Sequence, residues 1–248
     1  MRYLVIGDVH SNLEALEAVL RASAAQKWEA VVVLGDLVGY GADPNAVVDR
    51  IRTLNPVGIV RGNHDKVAVG LEDAENFNSI AKAAAEWTSK ALSRGSFEYL
   101  RALPAGPQLV NDELEICHGS PFDEDSYVVT DLDAARSLAV SRLPLCLFAH
   151  THVALLANLA AGKRLEMDAP HGRPEHETTI LAETKYLINP GSVGQPRDGD
   201  SRAAYAIVDT NRKMVTLSRV AYPIEAAQKK IVEAGLPPML AYRLGMGR

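Results

Sequence analysis

Arg2-Tyr3-Leu4-Val5-Ile6-Gly7-Asp8-Val9-His10 opens the chain as an apolar, β-type run that stops on glycine, aspartate and histidine. A run of this kind reads as a short buried strand, and the pattern of the next sixty residues decides the fold around it. Residues 12–26 switch to a helical period, with Leu13, Leu16, Val19 and Leu20 on one face and Ser11 or Asn12 able to cap it. A second strand, residues 30–34, stops on Gly35-Asp36. A second helix over 44–54 has Asp43 as its expected cap and Pro44 at its first position. A third strand, 58–61, runs into Gly62-Asn63-His64-Asp65, read as a turn. Strand, polar residue and helix in repeated succession mark a layered α/β fold. In such a sheet, ligands collect at the carboxyl ends of the strands.

The pattern continues further along. Residues 72–103 carry no strand signal and read as two helices, 80–92 and 96–103. Strands are predicted at 114–117 and 145–149, with a helix at 131–141 between them. Each of these strands again runs into a histidine motif, Cys117-His118-Gly119 and His150-Thr151-His152. Segments 154–158, 163–167, 178–181 and 186–188 read as short antiparallel strands around a polar loop, 170–177. A hairpin over 203–209 and 214–220 comes next, turned at Asn211-Arg212, and then a helical extension over about 222–248. No repeat or linker interrupts the chain, so a single domain over 1–248 is expected.

Composition narrows the classes. Hydrophobic residues make up 47% and charged residues 23%, ordinary for a globular chain. No apolar run reaches the ~18 residues of a transmembrane helix. The first strand already carries Asp8 and His10, so it is not expected to be a cleaved signal. Two cysteines, Cys117 and Cys146, fall in predicted buried strands, which excludes a disulfide scaffold and makes a reducing cytoplasm the default. A net charge of −5 argues against broad nucleic-acid binding.

The strand-end residues suit metal chemistry. Cleaving a phosphoester at neutral pH needs an activated water and relief of charge on the phosphoryl oxygens, and two divalent ions supply both. Asp8 and His10, at i and i+2, are expected on the same side of an extended segment and able to chelate one ion. Asp36 is the natural bridging carboxylate, Asn63 offers an amide oxygen, and His118, His150 and His152 complete the two spheres. Oxygen and nitrogen donors together admit Mn, Fe, Zn, Co or Ni. Two dications against two aspartates leave a positive site that suits an anionic substrate, with the metal-held hydroxide as nucleophile. Arg61 and Arg197 are candidate contacts to phosphate oxygens, and Asn12 a candidate that competes with its capping role.

The ordered set Asp8-x-His10, Gly35-Asp36, Gly62-Asn63-His64-Asp65, His118-Gly119 and His150-Thr151-His152 resembles the calcineurin-like metallophosphoesterase superfamily over about residues 4–197. Five of the seven histidines fall in these motifs. The resemblance implies a four-layer αββα sandwich of two mixed sheets flanked by helices. It also implies one metal on Asp8, His10, Asp36 and His152, and another on Asp36, Asn63, His118 and His150. His64 would be the general acid, oriented by Asp65. The Asp8-Val9-His10-Ser11-Asn12 start and the Asn189-Pro190-Gly191-Ser192 turn resemble the compact prokaryotic branch, whose members are commonly phosphodiesterases or diadenosine-tetraphosphatase-like. Two departures stand out. Tyr40 occupies the place of a phosphate-binding arginine in protein Ser/Thr phosphatases, and Ala149 precedes His150 where glycine is usual.

The expected function is therefore metal-dependent hydrolysis of phosphodiesters or small phosphorylated metabolites. The alternatives are a dinucleoside-polyphosphate hydrolase or a phosphomonoesterase. A non-catalytic scaffold and a nuclease are further alternatives, disfavoured by the intact ligand set and the negative charge. The substrate wall is expected from residues 66–110 and 153–188. Asp123-Glu124-Asp125 reads as a solvated loop, and His171 and His176 as solvated histidines.

Overall fold

Alternation along the first strand, β1 (Arg2–Ile6), sets the layers of the molecule: Tyr3 and Val5 point into one core, Leu4 and Ile6 into another. The computed structural model describes residues 1–248. β1 pairs in parallel with β2 (Ala30–Val33), which pairs with β3 (Gly58–Ile59). On its other side β1 pairs antiparallel with β11 (Ala203–Asp209), in the register Val5 to Ala206. β12 (Met214–Val220) and the edge strand β9 (Glu175–Thr179) complete a six-stranded sheet, order β3-β2-β1-β11-β12-β9. The second sheet runs β4 (Gln108–Val110), β5 (Leu114–Ile116), β6 (Leu145–Leu147), β10 (Thr184–Asn189), β7 (Leu155–Ala160), β8 (Glu166–Asp168).

The two sheets face each other across a core that includes Tyr3, Val5, Val32 and Leu34 from the first and Ile116, Leu147 and Ile188 from the second. The outer face of the first sheet is covered by α1 (Leu13–Ser23), α2 (Pro44–Leu54), α7 (Ile224–Glu233) and α8 (Pro238–Met246). α3 (Asn63–Ala68), α4 (Ser79–Ala91) and α5 (Arg94–Arg101) extend that layer. On the far side, α6 (Asp131–Val140) sets Ala134 and Leu138 against Cys146, Phe148 and Leu187. The architecture is the expected αββα sandwich. In α1, Leu16, Val19 and Leu20 are buried, each worth about 2 kcal/mol. Asn12 Oδ1 caps that helix by accepting the Ala15 N–H at 3.1 Å. No helix is long and apolar enough to cross a membrane.

Four local expectations change. Gly62-Asn63-His64-Asp65 is the start of a helix, not a free turn: Asp65 accepts the Gly62 N–H and so caps α3 from within. β4 went unread because it has only three residues and one buried side chain. Residues 175–177 leave the polar loop and join Thr178 and Thr179, from the strand expected over 178–181, to pair with β12 at the edge of the other sheet, Glu175 opposite Ser218. Residues 175–177 read as loop because no large apolar residue stands among them. Asp43 makes no cap bond to α2; its carboxylate meets Lys230 of α7 at 2.7 Å.

Candidate metal centre

The loop leaving β1 lies against the loop leaving β2 through three main-chain bonds, with Asp8, His10 and Ser11 N–H groups donating to Gly35, Asp36 and Leu37 carbonyls. The turn after β10 closes on the same place. Ser192 Oγ and the Gly194 N–H both donate to the Asp8 carbonyl, and Asn189 Nδ2 donates to the Ala149 carbonyl and Thr151 Oγ1. The Asn-Pro-Gly-Ser turn thus ties the β1 loop to the β6 loop. Asp8, His10, Asp36, His150 and His152 all have φ between 49° and 68°. That left-handed conformation is costly for side chains other than Gly, Asn and Asp, and such residues cluster at functional sites. It also corrects one expectation. Asp8 and His10 do not converge by sharing a side of an extended strand, because β1 ends at Ile6 and the backbone coils back. Ala149 fits without crowding, since a side chain at Gly7 would stand 3.1 Å from its Cβ and Gly7 has none.

Four histidines each spend one ring nitrogen on a main-chain carbonyl: His10 Nδ1 on Val38 (3.0 Å), His118 Nδ1 on Leu34 (2.7 Å), His150 Nε2 on Asp125 (3.1 Å) and His152 Nδ1 on Gln195 (2.6 Å). A carbonyl only accepts, so these nitrogens carry the hydrogens and the opposite nitrogens aim lone pairs inward. His10 Nε2 then faces His152 Nε2 at 3.0 Å, and His118 Nε2 faces His150 Nδ1 at 3.1 Å. A proton resolves the second contact: burial opposes it, but Asp36 pushes the His118 imidazole up to about 10. No proton serves the first, because burial holds His10 and His152 well below the usual imidazole range. Two facing lone pairs there call for a cation.

The carboxylates complete the case. Asp36 Oδ2 lies 3.5 Å from His10 Nε2 and 3.4 Å from His118 Nε2, so one oxygen belongs to both histidine pairs. Burial works against its charge, yet His118 and His10 hold it well below the ordinary carboxylate range. Asp8 is pushed up to about 7 by burial, against the pull of His118, and its Oδ2 is buried with no partner. Asp8, His10, Asp36 and His152 form one group of donors within 4.8 Å of one another, and Asp36, His118 and His150 form a second. Asn63 Oδ1, 3.3 Å from His118 Nε2, stands beside the second. These donors fit two divalent ions sharing Asp36.

His64 sits at the rim of this cluster. Its ring packs on His10 (5.0 Å between centroids), Tyr40 (4.3 Å) and Phe77 (4.6 Å). The His64 main-chain N–H donates to Asp36 Oδ1 at 2.9 Å, and the buried ring Nδ1 has no partner. Burial pushes the imidazole down to about 4, with Asp36 pulling the other way. Asp65 does not orient this ring directly. Its two oxygens accept the Gly62 and Val38 N–H groups and so fix the loops on either side of His64.

The substrate candidates divide. Arg61 is clamped by Glu124 through two bonds, 2.9 and 3.0 Å, and does not face the cluster with a free guanidinium. Asn12 uses its side chain on Ala15, Gly194 and Tyr222, a structural set that leaves nothing for substrate. Arg197 pairs with no carboxylate; it reaches Gln195 Oε1 at 3.0 Å and Tyr40 Oη at 3.3 Å. The Asp123-Glu124-Asp125 run is not a solvated loop, since Glu124 and Asp125 hold Lys66 and the Asp125 carbonyl orients His150. His176 is mostly buried and lies 3.7 Å from Asp168. Cys117 and Cys146 are buried and unbridged.

Beside His150 opens an apolar groove of about 590 Å³, lined by Tyr127, Val129, Thr151, Leu155 and Met167 among others. Tyr127 is half exposed and stacks on His150 at 3.9 Å. The 153–188 segment supplies part of this wall as expected. From 66–110, Phe77 packs on His64, and residues 127–129 were missed because nothing local marks them.

Residues 1–213 match the calcineurin-like phosphoesterase superfamily domain. An uncharacterized protein of Methanocaldococcus jannaschii is 36% identical over 248 residues, covering 98% of this chain and 97% of its own length. The crystal structure of a metallophosphoesterase from Sphaerobacter thermophilus is 37% identical, with a TM-score of 0.85 over 100% of this chain and 99% of its own. A hypothetical protein from Pyrococcus horikoshii, 20% identical, shares the fold with a TM-score of 0.77 over 100% and 98% of the two chains.

Proposed function

The chain belongs to the calcineurin-like phosphoesterase superfamily, and from that premise we propose that it hydrolyses small phosphoesters, phosphodiesters foremost, with two divalent transition-metal ions. The observation that carries this reading is the single oxygen, Asp36 Oδ2, within 3.5 Å of a histidine nitrogen from each donor group. Asp8, His10, Asp36 and His152 would hold one ion; Asp36, Asn63, His118 and His150 would hold the other. When bound, such a pair lowers the pKa of a water and draws charge from the phosphoryl oxygens. Mn²⁺ is one of several ions that mixed oxygen and nitrogen donors accept.

The chain's own groups account for the rest. Arg197, free of any carboxylate, would orient a phosphoryl oxygen. His64 would protonate the leaving oxygen, since its Nε2 makes no bond within the protein. Burial, helped by the positive charges of Arg197 and His118, keeps that imidazole neutral, but the negative charge of a bound phosphoester acts in the opposite direction and favours the proton. The apolar groove beside His150 offers room for the leaving group. Unbridged cysteines fit a reducing cytoplasm.

The test is hydrolysis of bis-p-nitrophenyl phosphate beside p-nitrophenyl phosphate by protein stripped of metal and reloaded with Mn²⁺. Diester turnover should exceed monoester turnover, and Asp36→Asn should abolish both. Silence on both substrates with metal bound would remove the proposal.

A further inference from the structure

The superfamily match ends at residue 213, yet the chain beyond it reaches back to the metal centre. The contact falls on the loops that carry His10 and Tyr40. His10, Ser11 and Tyr40 have φ of 49°, 53° and 59°. A left-handed backbone at such residues costs of order 1–2 kcal/mol each and persists only where its surroundings fix it. Part of the fixing is local. The Gly41 N–H donates to the His10 carbonyl and the Asp43 N–H to the Ser11 carbonyl, each at 3.1 Å. Residues 41–43 are the seat on which the His10 loop rests.

Lys230 of α7 locks that seat. Its Nζ meets Asp43 Oδ2 at 2.7 Å and Glu14 Oε1, in the first turn of α1, at 2.5 Å. One ammonium thus joins the segment just after Tyr40 to the helix just after His10. Both carboxylates are mostly buried, and no other cation pairs with either. Without Lys230 two like charges would face each other between the loops, and their repulsion would part them. Tyr222, where the extension begins, accepts a hydrogen bond from Asn12 Nδ2 at 3.3 Å. Ile231, Leu240 and Leu244 close on His10 and Tyr40 around a cavity of only about 10 Å³, room for one water and not for a ligand. This face of the extension is packing, not a binding groove. The second donor group has no such support. Its histidines, His118 and His150, are fixed by the Leu34 and Asp125 carbonyls, and no hydrogen bond joins them to residues 222–248.

We propose that Lys230 is a positioning residue for the first metal ion. Through Asp43 and Glu14 it holds the His10 ring against His152. The C-terminal extension then supports the ion on Asp8, His10, Asp36 and His152, and not the one on Asp36, Asn63, His118 and His150. The ion assignment rests on the phosphoesterase reading; the hold on the His10 loop rests on contacts within the protein alone.

Two measurements on the full chain test this. In metal-free protein, amide hydrogen exchange followed by NMR should speed up roughly tenfold at Gly41 and Asp43 in Lys230→Met. It should stay as in the wild type at Ala149, whose N–H donates to the His118 carbonyl. In calorimetric titration of Mn²⁺, the same variant should bind one of two ions roughly tenfold more weakly and the other within about twofold. Lys230→Arg should recover most of both effects. Glu14→Gln, which loosens one of the two ion pairs, should move both readouts the same way by a smaller step. Lys229→Met, one residue away and largely exposed, should change neither. Lys230→Met added to His152→Ala, which already lacks a ligand of the first ion, should weaken the remaining ion no further. Unchanged exchange at Gly41 and Asp43, two ions bound as tightly as in the wild type, equal weakening of both, or a further loss in the His152→Ala background would each overturn the positioning role. Faster exchange at those two amides in Lys230→Met, with no Mn²⁺ bound even by the wild type, would keep the hold on the His10 loop and remove the metal reading instead.

Discussion

At His64 a ring with no side-chain hydrogen bond is held in place by shape alone. Gly39, at φ +93°, makes that possible: a Cβ there would stand 2.6 Å from His64 Nδ1. Gly39→Ala should therefore push the imidazole off its position, besides straining the backbone. The expected outcome is full metal occupancy, measured by plasma mass spectrometry, with a ~100-fold loss of kcat on an alkyl phosphodiester, close to the loss in His64→Ala. A nitrophenyl ester, whose leaving group needs little protonation, should suffer far less. Full activity of Gly39→Ala on the alkyl ester would show that His64 does not transfer the proton. The residue types at the centre were legible because Asp, Asn and His recur at successive strand ends. Their partners were not. Nothing in Arg61, Asn12 or Asp65 announces that Glu124, Tyr222 and the Val38 N–H would occupy them, because those contacts join residues far apart in the chain.

At the scale of elements, the acidic loop after β5 works as a clasp on α3. Lys66, almost fully buried, meets Glu72 at 2.7 Å, Asp125 at 2.6 Å and Glu124 at 3.3 Å, while Arg61 grips Glu124 from the end of β3. The clasp holds the helix that carries Asn63 and His64 against the loop that orients His150. Burial works against the Glu124 charge, but the Arg61 hydrogen bond and the nearby Lys66 win and keep the carboxyl below its usual 4.5. A carboxyl lowered in the folded state contributes stability that is complete above its unfolded value. That stability is lost as pH falls through 4.5 toward the folded value. Arg61→Met with Glu124→Gln should remove this contribution, of order 1 kcal/mol for a partly exposed pair. Melting temperature followed from pH 7 down to pH 3.5 should fall less steeply in the double variant than in the wild type; parallel curves would contradict the clasp. Elements with strong periods, α2 and the β11–β12 hairpin, stand where the sequence places them. The short or polar ones, α3, β4 and β9, take their structure from tertiary neighbours and leave little local trace.

For the whole molecule, the centre lies at a seam. Asp8, His10, Asp36 and Asn63 follow strands of the first sheet, whereas His118, His150 and His152 follow β5 and β6 of the second. The sheets already share an apolar core, but at their carboxyl ends the facing surfaces are carboxylates and imidazole lone pairs. A cation held by Asp8, His10 and His152 would join donors from both sheets at once, so its affinity for the folded chain would become stability of the fold. An ion at 100 times its dissociation constant adds about 2.7 kcal/mol, or about 5–10 °C in the melting temperature of a chain this size. Scanning calorimetry with Mn²⁺ against chelator should show that rise. Asp36→Asn should erase it at both donor groups, because the substitution removes the one charge they share, whereas His64→Ala should preserve it. A rise that survives Asp36→Asn would place the stabilising ion outside this seam, and no rise in the wild type would mean that the two sheets are held by their apolar core alone.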